Sequence, residues 1–186
     1  MSARACAIAG ALLLALATAL HPEEVPAAPD GFTWKHVPAV KASFLMPNGW
    51  FFLEEEKEGT HAFFITKEKI EDGGQFETGL TVNVQHLKKT SAPERAAGLI
   101  AVMREKYEAL DSPGGNRRQG ALEGFGCRVR VREKDQPSLI EEVLAIGNRR
   151  TNTLYILIFE SSEARWPAEW EKGRVILDRF LLDDEF

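Results

Sequence analysis

The side chains that could do chemistry are spread along the chain and form no recognisable catalytic motif. No serine lies in a Gly-x-Ser-x-Gly elbow, and the glycines at 114–115 follow a predicted helix, where a phosphate loop would precede one. The acidic pair Glu141–Glu142 is typical of a solvated surface, because a general acid would need burial. The histidines do not have the spacing of a metal site: His21, His36, His61 and His86. The sequence therefore predicts no catalytic residue, no metal site and no cofactor.

The arginines are the most distinctive charged set. Arg128, Arg130 and Arg132 alternate along one predicted strand and therefore share a face, and Arg149 and Arg150 follow in a predicted turn. A guanidinium group binds carboxylates through two parallel hydrogen bonds. The set, with Arg117 and Arg118 in a neighbouring loop, predicts a surface that binds an acidic protein partner.

The same strand also allows a purely structural interpretation. A turn at 134–137 would bring Arg130 opposite Glu141 or Glu142 on the next strand. Such a cross-strand pair contributes only about 0.2–1 kcal/mol. The arginines could therefore serve the fold instead of a partner. The aromatic residues at 50–52 and 63–64 leave a similar choice, between a core and the lining of a ligand groove.

Alternation of apolar and polar residues predicts short strands, with two helices between and after them. The strand segments are 40–46, 50–53, 61–66, 80–86, 125–132, 139–146 and 153–159. The last of these is nearly all apolar, which predicts a central strand. A capping box, Ser91 to Glu94, begins a helix of about five turns that runs to Leu110, and a second helix spans about Ala168–Leu182. Short connections after residue 120 require antiparallel neighbours, so the predicted fold is an α+β sandwich.

The N-terminal residues predict the compartment. A positive start at Arg4, an apolar run from Ala7 to Leu16 and small residues up to Ala19 are typical of a signal peptide, here residues 1–19. Residues 20–31 contain three prolines and predict a flexible lead-in to a single domain over 32–186. The location would be extracytoplasmic, periplasmic or secreted, with cleavage near Ala19. No transmembrane segment follows.

The net charge argues against nucleic-acid binding, and the cysteine content argues against a disulfide bond. The formal net charge is −5, which offers no basic face for nucleic acid. Beyond the predicted signal peptide, Cys127 remains alone, and its phase along an alternating strand predicts a buried thiol. We therefore expect a domain without an intramolecular disulfide bond.

Several stretches together resemble the PsbP-like family of extracytoplasmic domains (Mog1/PsbP type). They are the strand-turn-strand Ser43–Trp50, the segment Phe76–Val84, and Ser91–Glu94 at the start of a helix. The strand meander and the closing helix at 166–182 complete the order. The resemblance implies an α/β/α sandwich with a central, mainly antiparallel sheet and helices on its faces. It also implies a non-enzymatic binding role, such as an extrinsic subunit of a membrane complex. The acidic lead-in departs from the basic arm expected of a photosystem subunit.

Three functional hypotheses follow from the sequence. The first is a binding module that engages a protein partner through the arginine-bearing face. The second is a carrier of a small apolar ligand, held in a pocket of several hundred Å³ between the sheet and the helix at 96–110. The third is a hydrolase built on dispersed carboxylates.

Overall fold

The computed structural model describes residues 25–71, 76–110 and 116–186. The predicted signal peptide, the loop glycines at 73–74 and the helix-stop glycines at 114–115 lie outside the described residues. None of the described helices is long and apolar enough to cross a membrane.

The described chain forms eleven strands and two α-helices. The strands are β1 (Phe32–Val37), β2 (Ala42–Pro47), β3 (Phe51–Lys57), β4 (Thr60–Thr66), β5 (Gly79–His86), β6 (Glu108–Leu110), β7 (Arg117–Gln119), β8 (Leu122–Val131), β9 (Leu139–Asn148), β10 (Thr153–Ser162) and β11 (Leu181–Leu182). The helices are α1 (Ala92–Lys106) and α2 (Trp166–Arg179).

The strands form two antiparallel sheets. The large sheet has eight strands in the order β3-β4-β5-β10-β9-β8-β6, with β7 also paired to β8. The small sheet has the order β1-β2-β11. The apolar strand β10 lies in the middle of the large sheet, as its sequence predicts. An antiparallel sheet with helices on its faces confirms the predicted α+β sandwich.

Each face of the large sheet carries its own core. Under α2 and the small sheet, the core includes Phe44, Phe63 and Phe159, all fully buried. Under α1, the core includes Cys127 and Val143, and the burial of the Cys127 thiol confirms its predicted place. Helix α1 packs on β8, β9 and β10 and leaves the same face of β3, β4 and β5 without a described helix over it.

Helix α1 differs from its predicted form at both ends. Ser91 makes no capping hydrogen bond through its side chain, so the capping-box prediction is wrong. Asn152, in the β9–β10 turn, accepts a hydrogen bond of 2.7 Å from the Ala92 N–H instead. The helix ends at Lys106 rather than Leu110, because residues 108–110 pair with β8 as a strand.

Three further segments correct the sequence prediction. The turn at Pro47–Gly49 does not close a hairpin, since β2 lies in the small sheet and β3 at the edge of the large one. Strand β1 was not predicted and pairs with β2. Helix α2 ends at Arg179 rather than Leu182, because Leu181 and Leu182 pair with β2.

Candidate binding groove on the uncovered half of the sheet

On the side of the large sheet that carries α1, strands β3, β4 and β5 have no described helix over them. This part of the sheet is a mixed apolar and polar surface, here called the open face. The register aligns Leu53 with Phe64 and Phe64 with Thr81, so these side chains share one face of the sheet. Phe51 is 43% exposed and Leu53 36% exposed, which is unusual for side chains of their size. The open face consists of Phe51, Leu53, Glu55, Ala62, Phe64, Thr81 and Asn83.

A groove of about 480 Å³ lies where the open face meets the C-terminal end of α1. Of the thirteen residues that line it in the described part of the chain, eight are apolar, and the other five are four glutamates and one glutamine. The apolar residues are Leu53, Phe64, Ile70, Phe76, Tyr107, Val131, Pro137 and Leu139, and the polar ones are Gln136, Glu55, Glu133, Glu141 and Glu160. No lysine or arginine is among these described lining residues. The groove therefore presents negative charge against an apolar wall.

Two of the carboxyl groups lie side by side on the floor of the groove. Glu141 and Glu160 are register partners on β9 and β10. Burial raises the pKa of Glu160 to about 7, and the negative charge of Glu141 adds to the effect. Burial also raises the pKa of Glu141, opposed by the positive charge of Lys106. A positive group entering the groove would stabilise the ionised form of both carboxyls.

The chemistry of the groove suits binding. Its described lining contains no serine, cysteine or histidine that a carboxylate could activate as a nucleophile. Among the described residues, no three His, Cys, Asp or Glu side chains lie together as a metal site. What the lining does offer is a cation-attracting floor and an apolar wall, which fit a basic group carried on an apolar stem.

The structure places Arg128 inside the protein. Its side chain is 15% exposed, and its Nε donates to Glu142 Oε2 over 2.7 Å. The guanidinium group also stacks over Trp170, 4.5 Å from the ring centroid, and lies beside Trp166. Arg128 therefore stabilises the packing of α2 on the sheet.

Arg130 does not lie opposite either of the glutamates expected from the sequence. Its register partner is Ile140, and Arg128 is the residue that pairs with Glu142, because the strand pairing is shifted by one residue from the register that a turn at 134–137 would give. Arg130 instead forms ion pairs with Glu108 and with Glu163, the latter at 2.8 Å. Arg132 shares Glu108 at 2.7 Å and keeps an exposed side chain.

Arg149 and Arg150 lie at the opposite end of the sheet from Arg132. Asn148, just before them, pairs with the first residue of the ten-residue strand β8, whereas Arg132 follows the last. The two groups are thus roughly 30 Å apart at about 3.3 Å per residue. Arg150 forms an ion pair with Asp184, and Arg149 Nη2 donates to the Gly120 carbonyl. The five arginines are therefore not one patch.

The space between α1 and the sheet is filled by side chains. Ala92 and Ala96 are fully buried and Ile100 nearly so, against Cys127, Val143 and neighbouring residues of the sheet. The apolar-ligand hypothesis places its pocket at this interface. The groove lies beyond it, next to Tyr107 after the end of α1.

Two solved structures have a similar arrangement of elements. Cyanobacterial PsbP (CyanoP) from Synechocystis sp. PCC 6803 is 13% identical, with a TM-score of 0.53 over 84% of this chain and 95% of that one. The Ran-binding protein Mog1p of Saccharomyces cerevisiae is also 13% identical, with a TM-score of 0.51 over 81% of this chain and 95% of that one. The chain has a PsbP/Mog1-like fold. No protein-family model and no curated protein sequence matches it.

Sequence reasoning missed the groove and its central residue. The PsbP/Mog1-like order of elements could be predicted, but Glu160 has no motif around it. The signal that could have found Glu160 is its place at the end of the apolar run of β10, where an acidic side chain interrupts a buried strand.

Proposed function

We propose that the chain is a non-catalytic, extracytoplasmic binding module that engages a protein partner through the open face and its groove. The observation that carries the proposal is the acidic, apolar-walled groove on a half of the sheet that has no described helix over it. An exposed apolar surface rimmed by polar residues is typical of a protein interaction site.

The similar structures support a binding role at the level of the fold. One of them, Mog1p, is a Ran-binding protein, and both alignments cover most of this chain. Their low identity carries over no partner. We choose the groove as the binding surface because of its lining. Its glutamates would attract a basic group of the partner, and its apolar residues would pack against the apolar atoms around that group.

The arginine surface is a second proposal for the same role. Arg132, Arg149 and Arg150 have side chains that are 64%, 45% and 50% exposed and could reach an acidic partner. Arg128 and Arg130 are paired with glutamates and are only 15% and 19% exposed, so they are less accessible to a partner than these three. Of the three more exposed arginines, Arg149 and Arg150 are consecutive in the chain, so this second proposal places its site there.

The extracytoplasmic location is tested independently of binding. Cleavage near Ala19 predicts that the protein recovered from cell fractions begins close to Leu20. N-terminal sequencing of the purified protein would detect this end. Protein found in the cytoplasmic fraction with its first residues intact would contradict the extracytoplasmic location. It would not bear on the binding surface, which the capture experiment tests.

A capture experiment tests the surface. The natural protein and a Phe51→Lys/Leu53→Lys variant serve as baits for an extracytoplasmic extract. Val102→Lys and the single variant Leu53→Lys form a pair that is matched in charge, because Val102 is also an exposed apolar residue but lies on α1. We expect a partner that binds the natural protein and the Val102→Lys control and is lost from the open-face variants.

A further variant, Arg149→Glu/Arg150→Glu, separates the two surfaces. Loss of the partner in this variant alone would assign binding to the arginine surface and overturn the open-face proposal. Equal capture by all five baits would overturn both surfaces.

A further inference from the structure

Strand β3 is the free edge of the large sheet. It pairs with β4 on one side, and no described strand pairs with its other side. Six of its seven residues are exposed, with Phe52 half-buried. Such an edge presents a row of backbone donors and acceptors that another extended chain can bind.

The hairpin between β3 and β4 fixes which backbone groups point outward. Lys57 pairs with Thr60 across a two-residue turn, and both turn residues have positive φ, 53° at Glu58 and 77° at Gly59. This is the type I′ geometry, in which the flanking pair is hydrogen bonded. Hydrogen-bonded pairs alternate along an antiparallel ladder, so the outward N–H and C=O groups belong to Phe52, Glu54 and Glu56.

The side chains of β3 indicate the chemistry of the added chain. Phe51 to Leu53 are apolar and Glu54 to Glu56 are acidic. Glu56 has a weak ion pair with His61 at 3.9 Å, and neither Glu54 nor Glu55 has an ion-pair partner among the described residues. A second copy of this chain is disfavoured: when two β3 strands pair antiparallel about Glu54, Glu54 lies opposite its own copy, and Glu55 and Glu56 lie opposite the apolar Leu53 and Phe52.

We propose that β3 receives an extended, basic segment of the partner as an added antiparallel strand. The inference rests on the proposed binding function and names the binding mode and the partner's chemistry. Basic side chains lie opposite Glu54, Glu55 and Glu56, and apolar side chains lie opposite Phe51, Phe52 and Leu53. The added strand extends the open face, so its neighbouring residues can reach the groove.

A designed peptide tests the strand addition. The probe is acetylated and amidated Thr-Lys-Lys-Lys-Val-Ile-Val with a fluorescent label, which places its lysines opposite the three glutamates. Its second, fourth and sixth amides face β3 in the antiparallel register, and its third, fifth and seventh face solvent. Two N-methylated versions, one for each set of amides, have the same charge, composition and number of methyl groups.

The expected result is a difference between the two methylated peptides. Methylation of the β3-facing amides should weaken binding to the natural protein by at least about tenfold, since three hydrogen bonds are lost. Methylation of the solvent-facing amides should change it by less than about twofold. The amides of Phe52, Glu54 and Glu56 should exchange with solvent more slowly once the unmodified peptide binds.

Other outcomes overturn the inference. Equal binding of both methylated peptides would show attraction by charge alone, and absence of binding of the unmodified peptide would exclude strand addition of this segment. A dimer of the free protein that dissociates when the peptide binds would favour a second copy as the natural occupant of β3 instead. None of these results alters the capture experiment above, so the binding function can survive when the binding mode fails.

Discussion

Replacing Glu160 by glutamine should stabilise the protein above neutral pH. The carboxyl has a pKa of about 7 in the folded chain, against an ordinary value of 4.5, chiefly because it is buried. A raised pKa means that the folded state holds the proton more tightly than the unfolded state does. The contribution of Glu160 to the free energy of unfolding is therefore fully present below about pH 4.5. It decreases as the pH rises to about 7 and does not change further above that pH.

The size of the effect follows from the two pKa values. Each pKa unit corresponds to about 1.4 kcal/mol, so ionised Glu160 lowers the free energy of unfolding by about 3 kcal/mol at about pH 8. Glutamine has nearly the same shape and no charge. Glu160→Gln should thus unfold at a higher urea concentration at about pH 8 and at nearly the same concentration at about pH 4.5.

Glu54→Gln is the control, because it makes the same change of charge at an exposed position. We expect it to change the free energy of unfolding by less than about 0.5 kcal/mol at either pH. If Glu160→Gln is neutral or destabilising at about pH 8, Glu160 is not desolvated in the groove. The description of the groove floor would then be wrong.

Five further substitutions test the packing by urea unfolding. Arg128→Ala should lower the free energy of unfolding by about 3 kcal/mol, because it breaks a buried ion pair, whereas the exposed Arg132→Ala should lower it by less than about 1 kcal/mol. Gly147→Ala should destabilise by at least about 2 kcal/mol, since its new Cβ would lie 2.2 Å from the backbone of the first turn of α1. Gly98→Ala, with open space around it, should stabilise by about 0.5–1 kcal/mol. Asn152→Ala should destabilise by about 1–2 kcal/mol through loss of the α1 cap. A neutral Arg128, Gly147 or Asn152 variant, or a destabilising Gly98 variant, would contradict the corresponding contact.

The sequence predicts most strands and both helices because their apolar periodicity reports the buried face directly. It fails where pairing partners are distant in the chain. Residues 108–110 fit the end of a helix by spacing, yet they pair with β8. Leu181 and Leu182 fit the stripe of α2 and pair with β2 instead. In both places the tertiary hydrogen bonds override the local pattern.

The candidate site was less predictable than the fold. The arginine set stands out in the sequence because charge on a strand is conspicuous, but the structure pairs Arg128 and Arg130 with glutamates. The groove depends on which half of a sheet face lacks a helix, and no local pattern carries that information. Glu160 matters because of its burial next to Glu141, a contact between two strands.

Hydrogen–deuterium exchange of the chain, alone and in complex with its captured partner, would locate the binding surface. We predict slower exchange in the complex along β3, at residues 51–57, and around the groove at residues 139–141. Slower exchange confined to residues 117–119 and 149–150, with β3 unchanged, would contradict the open face as the binding surface.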